Sequence, residues 1–545
     1  MCASPSGDPS STGSGRPAVA PDPSAKFTEA LNKVLPLIDS HLPLDAKLLA
    51  ELLQVAAVSS LGLGRLADAE SYWRRSIEAN PAFVDAYTNL STFLKGQNRL
   101  HDVVTLLRQL LDVRPDLADV YNELGSLLQD LGRLSEAETA YRQAALTRPE
   151  RVEFHYNLAT VLRPLGRWNE AAQAYQRAIA LRPDFVMGHS NLGNVLKELG
   201  RLPEAEDAYR QALAIHSDYH IARYGLALLL LSVGRFDEGW RLYEARHADP
   251  MSLQHKTQRV IGRPRWQGEP LAGKKLLVWQ EGGLGDAIHF GRYLPLLKAQ
   301  GAAQIAFVCA PSLHRLFATV DGVDVLLTHE AGWAESAQYD YWMSPMSAPL
   351  YMRTTVDTIP PPVQLKLESS LVEVWRARLA ALPPGRRIGL VWKGNAQHQN
   401  DAHRSLESLT MLAPLWRVPG LSFVSLQKGE DEAQSPPVDQ PLLHLGSEVT
   451  DMADSAAVIA QLDLLICVDT SIAHLAASVG TPCWVMLPAE EIDWRWMHGR
   501  TDSPWYPETI RLFRQPLGAK WSKLIEQVRQ ACSSGDLWRR VARSR

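Results

Sequence analysis

A Gly-Arg or Asn-Arg pair returns six times in this chain, at Gly64-Arg65, Asn98-Arg99, Gly132-Arg133, Gly166-Arg167, Gly200-Arg201 and Gly234-Arg235. Every step is 34 residues. The same step carries Leu90, Leu124, Leu158, Leu192 and Leu226, and a second series of Trp73, Leu107, Tyr141, Tyr175, Tyr209 and Tyr243. Pro81, Pro115, Pro149 and Pro183 keep the register as helix stops. A unit of this length is one helix hairpin, which cannot bury its apolar face alone. The spacing therefore predicts about six stacked hairpins from roughly 47 to 250, forming a superhelix with a concave groove. The recurring Leu, Ala and Tyr residues are expected to be its inter-helix core.

Thirty-four residues is the tetratricopeptide period. The polar residues placed for the groove are Asn89, Asn122, Asn157, Asn191 and Asn194, with Asn122 one position off the register of Asn89, Asn157 and Asn191. Asparagines in a row can bond the backbone of an extended peptide without reading its side chains, or can tie neighbouring repeats together. The sequence leaves both open. The partner expected for such a groove is a protein or peptide.

The formal net charge of −4 offers no footprint for nucleic acid, and the only basic run is the tail Arg539, Arg540, Arg543 and Arg545. No apolar run approaches the ~18 residues of a membrane span. The five cysteines are scattered without a Cys-x-x-Cys pair, which suggests neither a disulfide framework nor a zinc site, and a reducing cytoplasmic setting is expected. Residues 1–25, rich in Pro, Ser and Gly, read as a disordered leader.

The period changes after a connector, Arg259 to Gly273. Lys275 to Trp279 reads as a buried strand, followed by the loop Glu281-Gly282-Gly283-Leu284-Gly285-Asp286 and one amphipathic helix from Ala287 to Ala299. Further strands are expected at Ile305–Cys309, Val323–Leu327, Ile388–Trp392, Leu421–Leu426, Leu462–Val468 and Thr481–Leu487. A new lobe is expected to begin after Leu382-Pro383-Pro384-Gly385. Two successive α/β lobes imply a ligand cleft at the carboxyl ends of their strands.

Asp286 opens a helix at the mouth of that cleft, where a carboxylate can act as a general base or serve only as a helix cap. Gly283 and Gly285 let the backbone approach a ligand closely. Asp469, Thr470 and Ser471 end one strand and begin a helix, so hydroxyls and free amides there can hold a diphosphate, or simply cap. His474, one turn further on, can add a proton donor. Arg404, Ser405 and Lys428 follow other strand ends and can supply polar and cationic contacts to a leaving group. No His, Asp and Glu cluster has the spacing of a divalent-metal site, so neutralisation by side chains and helix ends is expected, with no cofactor beyond the co-substrate.

Taken in order, these segments resemble the heptosyltransferase-like family of B-type glycosyltransferases, in the bacterial version fused to tetratricopeptide repeats. The resemblance runs from about 258 to 530. It rests on Gln280 to Asp286 with Arg292-Tyr293-Leu294-Pro295, on Trp392-Lys393-Gly394-Asn395 with Asn400-Asp401 and Arg404-Ser405, and on Ser425 to Gly429. Val468 to Ala476, and Asp493-Trp494-Arg495-Trp496 through to Gln515, carry it most specifically. It implies an inverting, metal-independent transfer of a sugar from a nucleotide-sugar donor to an acceptor hydroxyl. Asp286 would be the base. The donor would be taken at Gly283, Gly285, Lys393, Asn395, Arg404, Ser405, Gln427, Lys428, Asp469, Thr470, Ser471 and His474. The first lobe looks shorter than in lipopolysaccharide heptosyltransferases, which speaks against a lipopolysaccharide acceptor. The alternative is a repeat scaffold whose transferase-like domain no longer catalyses.

The expected fold class is thus α plus α/β. A leader (1–25) and a tetratricopeptide-repeat (TPR) α-solenoid (26–250) lead through a connector (251–270) into a GT-B-like domain. Its acceptor-side lobe is expected at 271–382 and its nucleotide-sugar lobe at 383–545.

Overall fold

The computed structural model describes residues 23–40, 43–248, 257, 259–397, 400–434 and 441–534. Residues 1–22 of the expected leader, most of the start of the connector and the basic tail lie outside them. Ser24 and Ala25 are not leader but already part of a first helix, Pro23–Ile38.

Six hairpins follow, as the period predicts. They pair Ala46–Gly62 with Leu66–Ala79, Val84–Gly96 with Leu100–Val113, and Ala118–Asp130 with Leu134–Thr147. Val152–Leu162 then pairs with Trp168–Leu181, Val186–Glu198 with Leu202–Ile215, and His220–Ser232 with Phe236–Tyr243. The recurring glycine sits between the two helices of each hairpin in the left-handed region, with φ of +74° at Gly64, +72° at Gly132 and +83° at Gly234. Asn98 takes the same turn at φ +58°. That is the one non-glycine exchange the turn tolerates well, because a short amide side chain can bond locally there. From Arg99 on, the arginine after the turn pairs with the acid three residues on, as Arg133 does with Glu136 and Arg201 with Glu204. These pairs are half-exposed and contribute little each. Both apolar series, from Leu90 to Leu226 and from Trp73 to Tyr243, are buried.

The chain divides into two compact units, the first through Gly188 and the second from His189. The second contains two parallel sheets. The first sheet has the order β3-β2-β1-β4, with β1 Lys275–Trp279, β2 Gln304–Val308, β3 Val325–Leu327 and β4 Tyr341–Met343. The second runs β10-β9-β8-β5-β6-β7, with β5 Arg386–Val391, β6 Leu421–Ser425, β7 Leu442–His444, β8 Leu464–Val468, β9 Cys483–Leu487 and β10 Ile510–Arg514. All pairings between named strands are parallel. These are the two expected α/β lobes, with β4, β7 and β10 in addition. Residues 287–299 do not form one helix. Leu284–Phe290 is followed by a 3-10 turn, Gly291–Tyr293, and a new helix from Leu294. Pro295 has no N–H to return to Gly291, so the helical ladder breaks there.

The second unit differs most from the expected boundaries. The last hairpin, placed with the solenoid by its period, shares one hydrophobic core with both lobes. Phe236, Trp240 and Tyr243 are each about 2% exposed and pack against Trp494 and Trp505, with Trp240 and Trp494 rings 5.3 Å apart and Phe236 stacked on Trp505 at 5.7 Å. The Trp240 indole donates to the Thr354 carbonyl at 3.0 Å, and His498 N–H donates to the Ser232 carbonyl at 2.7 Å. Removing one buried large aromatic costs about 3–5 kcal/mol. A fragment starting at residue 271 loses three at once and is expected not to melt cooperatively, whereas one starting at Pro183 retains them and is expected to do so. A sharp calorimetric transition for the shorter fragment would contradict this boundary.

Candidate functional site

The two lobes meet where two helices begin. In the first lobe, β1 runs into Glu281 and the glycine loop, and Leu284–Phe290 starts with Asp286 in its first turn. In the second, β8 ends at Val468 and Ser471–Ser478 begins three residues later. Gly285 lies against this second helix so closely that an added Cβ would stand 3.1 Å from His474 Cδ2 and 3.2 Å from Ser471 Cα. An alanine at 285 would press on the second helix, which would have to give by a few tenths of an ångström. Gly282, at φ +78°, makes the turn.

Asp286 does not sit at the N-cap position, which is Gly283. It reaches back from the first turn to accept the Gly283 N–H at 2.7 Å, so part of its role is capping. Its other carboxylate oxygen accepts from Arg495, a residue of the second lobe. Arg495 is 8% exposed and also pairs with Asp493 at 2.6 Å. Burial lifts the Asp286 carboxyl above the usual carboxylate range; Arg495 opposes this shift and Asp493 adds to it. Its side chain is 23% exposed, with one carboxylate oxygen on the Gly283 N–H and the other on Arg495. Lifted basicity, partial access and a fixed orientation are what a general base requires.

Opposite, Thr470 holds the N-cap position of Ser471–Ser478 with no side-chain cap bond, and its buried hydroxyl has no hydrogen-bond partner among the described residues. The capping alternative for this segment is not realised by Thr470. Burial, with Asp493 nearby, pushes Asp469 up to about 6, and Arg404 and Arg495 pull the other way. Arg404 is thereby placed in the field of Asp469. It is 16% exposed, contacts Asp401 at 3.4 Å, and lies against Gly394, where an added Cβ would come within 2.7 Å of its guanidinium.

The remaining expected positions are engaged elsewhere. Ser405 donates to Asp401 and accepts the Gly394 N–H, both at 2.8 Å, and Lys393 is paired with Asp431 at 2.7 Å. Asn395 accepts the Gln397 N–H in a local turn. The Gln427 amide oxygen takes the N–H groups of Trp392 and Lys393, which ties β5's exit loop to β6's, and leaves that oxygen serving the fold. Lys428 is not brought to Asp469, because its ammonium bonds the Val449 carbonyl.

Sequence reasoning passed over six participants. Arg495 and Asp493 lay within a recognised segment, and an arginine between two tryptophans is the signal of a buried cation. Glu281, directly before the glycine loop, is 6% exposed and binds Arg246 through two bonds of 2.8 and 3.1 Å. Arg246, at the end of the last repeat hairpin, also bonds Glu244 and Ser347 at 2.7 Å each. Burial alone would raise Glu281, yet Arg246 holds it below the usual carboxylate range. The final participants are His289 and Tyr506, taken up below.

Residues 118–151, 160–200 and 190–250 match tetratricopeptide-repeat profiles, and residues 448–485 match the profile of glycosyltransferase family 9 (heptosyltransferase). The chain is 29% identical over 319 residues to protein FlbA of Caulobacter vibrioides, across 54% of this chain and 52% of that protein. It therefore spans about half the length of the curated relative it matches. Solved structures similar to it include YrrB, titled a TPR protein with an unusual peptide-binding site, at 20% identity over 34% of this chain and 97% of that one, TM-score 0.30. MamA is similar at 18% identity over 31% and 96% of the two chains, TM-score 0.29.

Proposed function

We propose that this chain, which joins tetratricopeptide repeats to a glycosyltransferase family 9 domain, moves a sugar from a nucleotide-sugar to a hydroxyl of a protein segment by a single inverting displacement. The observation that carries the reading is the convergence across the lobes of Asp286, Arg495 and the Thr470–Ser471 helix start. The acceptor oxygen attacks the anomeric carbon, and the bond from that carbon to the diphosphate oxygen breaks. The acceptor's proton passes to Asp286, and the diphosphate leaves with its charge met by Arg404 and the free amides at the head of Ser471–Ser478. Side chains and helix ends then neutralise the leaving group without a metal. A protein acceptor is supported by the half-buried asparagines of the repeats. Part of that row is spent internally, since Asn157 donates to Asn122 at 2.8 Å and Asn194 accepts from Tyr209 at 2.6 Å. A reducing cytoplasmic setting is supported by the described cysteines, all free and buried.

Donor binding tests the reading directly. A panel of nucleotide-sugars is screened by thermal shift, since a ligand of the folded state raises Tm by mass action. For the donor so found, Arg404→Ala is expected to weaken affinity by about 1.5–3 kcal/mol, the scale of a charge-assisted hydrogen bond. Unchanged affinity in calorimetry would remove Arg404 from the site, and the absence of any shift across the panel would remove the function. The acceptor half is tested by comparing the full chain with the fragment from Pro183. Equal donor hydrolysis with loss of protein modification supports delivery by the repeats, and equal modification refutes it.

A further inference from the structure

Two buried histidines from opposite lobes share one hydroxyl. His289 Nδ1 and His474 Nδ1 each lie 3.0 Å from the Tyr506 oxygen. A phenol has one proton to donate and lone pairs to accept, so at most one imidazole accepts from it; were both to donate, the buried Tyr506 O–H would be left unspent, and the satisfied arrangement has one imidazole donating and the other accepting. The direction of this chain is decided at its far ends. His289 Nε2 is buried with no hydrogen-bond partner among the described residues. An orphaned N–H is rarer and costlier than an orphaned acceptor, so that nitrogen holds a lone pair. His289 thus carries its proton on Nδ1 and donates to Tyr506. Tyr506 donates to His474 Nδ1, which leaves the His474 proton on Nε2. That nitrogen has no protein partner among the described residues and is not among the buried unpartnered atoms, so it is open. The ring is stacked on Trp496 at 5.3 Å and 8°, and its Cδ2 edge is turned to Gly285 and the start of the helix at Ser471.

We infer that His289 and Tyr506 are positioning residues that hold His474 as an Nε2–H donor to the diphosphate of the nucleotide. This rests on the proposed donor site and adds a specified proton to it. A neutral donor suits the place. Burial and the nearby arginines hold both imidazoles well below their ordinary pKa, so neither supplies a positive charge at neutral pH. Arg292 secures the arrangement by donating to the carbonyls of His289 at 2.8 Å and of Trp505 and Pro360 at 3.1 Å, while its guanidinium lies 4.7 Å from the Tyr506 ring centre.

The polarity can be read without any ligand. Full-length protein labelled with [15N]histidine, its two signals assigned by their loss in His289→Asn and His474→Gln, is expected to show His289 as the Nδ1–H tautomer and His474 as the Nε2–H tautomer. His289 is the sharper test, since it must take the less common form, and the reverse pattern overturns the inference. The second arm titrates UDP, ADP and GDP by calorimetry. For whichever binds, His474→Gln, whose amide N–H replaces the Nε2 donor, should retain affinity within about threefold, and His474→Ala should lose about tenfold or more. Tyr506→Phe should weaken binding about threefold or more in the native background and have no further effect beside His474→Gln. A merely structural Tyr506 would weaken both backgrounds alike, which refutes the positioning role. If the tautomers are as expected and none of the three nucleotides binds, the hydrogen-bond polarity stands and the donor-site reading falls.

Discussion

Asp286→Asn is expected to lower turnover by about 10²–10⁴-fold, the usual contribution of a general base, with donor affinity close to that of the native protein. Asn keeps the carbonyl oxygen that accepts the Gly283 N–H, so the cap survives. What it loses is the charge facing Arg495, which is 8% exposed and would retain Asp493 as its remaining ion-pair partner. From the sequence, a capping or catalytic Asp286 would leave Tm almost unchanged on this exchange. The structure keeps that expectation, because burial outweighs the pull of Arg495 and makes the Asp286 charge a net cost to the fold, so the neutral amide is expected to leave Tm unchanged or slightly raised. Stability and turnover must therefore be measured on the same variant. Near-native turnover would end the assignment of Asp286 as base, whatever happens to Tm.

Arg246→Leu is expected to have the largest effect on stability. It leaves the Glu281 carboxylate, 6% exposed, without its cation, and breaking such a buried pair from one side costs about 3–5 kcal/mol. Glu281→Leu should cost less, because Arg246 keeps Glu244 at 2.7 Å. The double variant removes both charges and should be more stable than Arg246→Leu alone, since an apolar pair of similar size can replace a buried ion pair at little cost. Urea melts of the four proteins read this directly. A loss below about 1 kcal/mol for Arg246→Leu would show that water reaches Glu281 and that this link does not hold the glycine loop to the last repeat.

Much of the molecule is legible from its residues because the physics involved is local. The left-handed turn at Gly64, Gly132 and Gly234 needs a residue free of Cβ strain, and the 34-residue step fixes which faces meet, so six hairpins follow from composition at regular positions. The strands found in advance, such as β1, β5 and β8, are runs of consecutive buried apolar residues. Those missed fail this test for identifiable reasons. β4 and β7 are three residues long, and β10 reads Ile-Arg-Leu-Phe-Arg, with Arg511 exposed.

The candidates Asp286, Asp469, Thr470 and Ser471 stand out in the sequence because strand ends and helix starts are marked locally and lie where an α/β cleft is expected to open. Lys428 and Gln427 carried the same local marks, and the fold uses them to hold its own loops. The difference lies in which groups approach across the fold, and a single sequence does not encode that in any window. Arg495 meets Asp286 from 209 residues away, Tyr506 meets His289 from 217, and Arg246 meets Glu281 from 35. Periodicity places Trp240 and Tyr243 in a repeat, but packing assigns them to the core of the second compact unit, because burying large aromatic surface outweighs any continuity of period. The sequence by itself determined the repeat architecture, the two lobes and the residue types at the cleft. Only the tertiary structure decided which carboxylate faces a buried cation, which histidines share one hydroxyl, and where the repeats give way to the core of the two lobes, since each depends on long-range contact and the desolvation it brings.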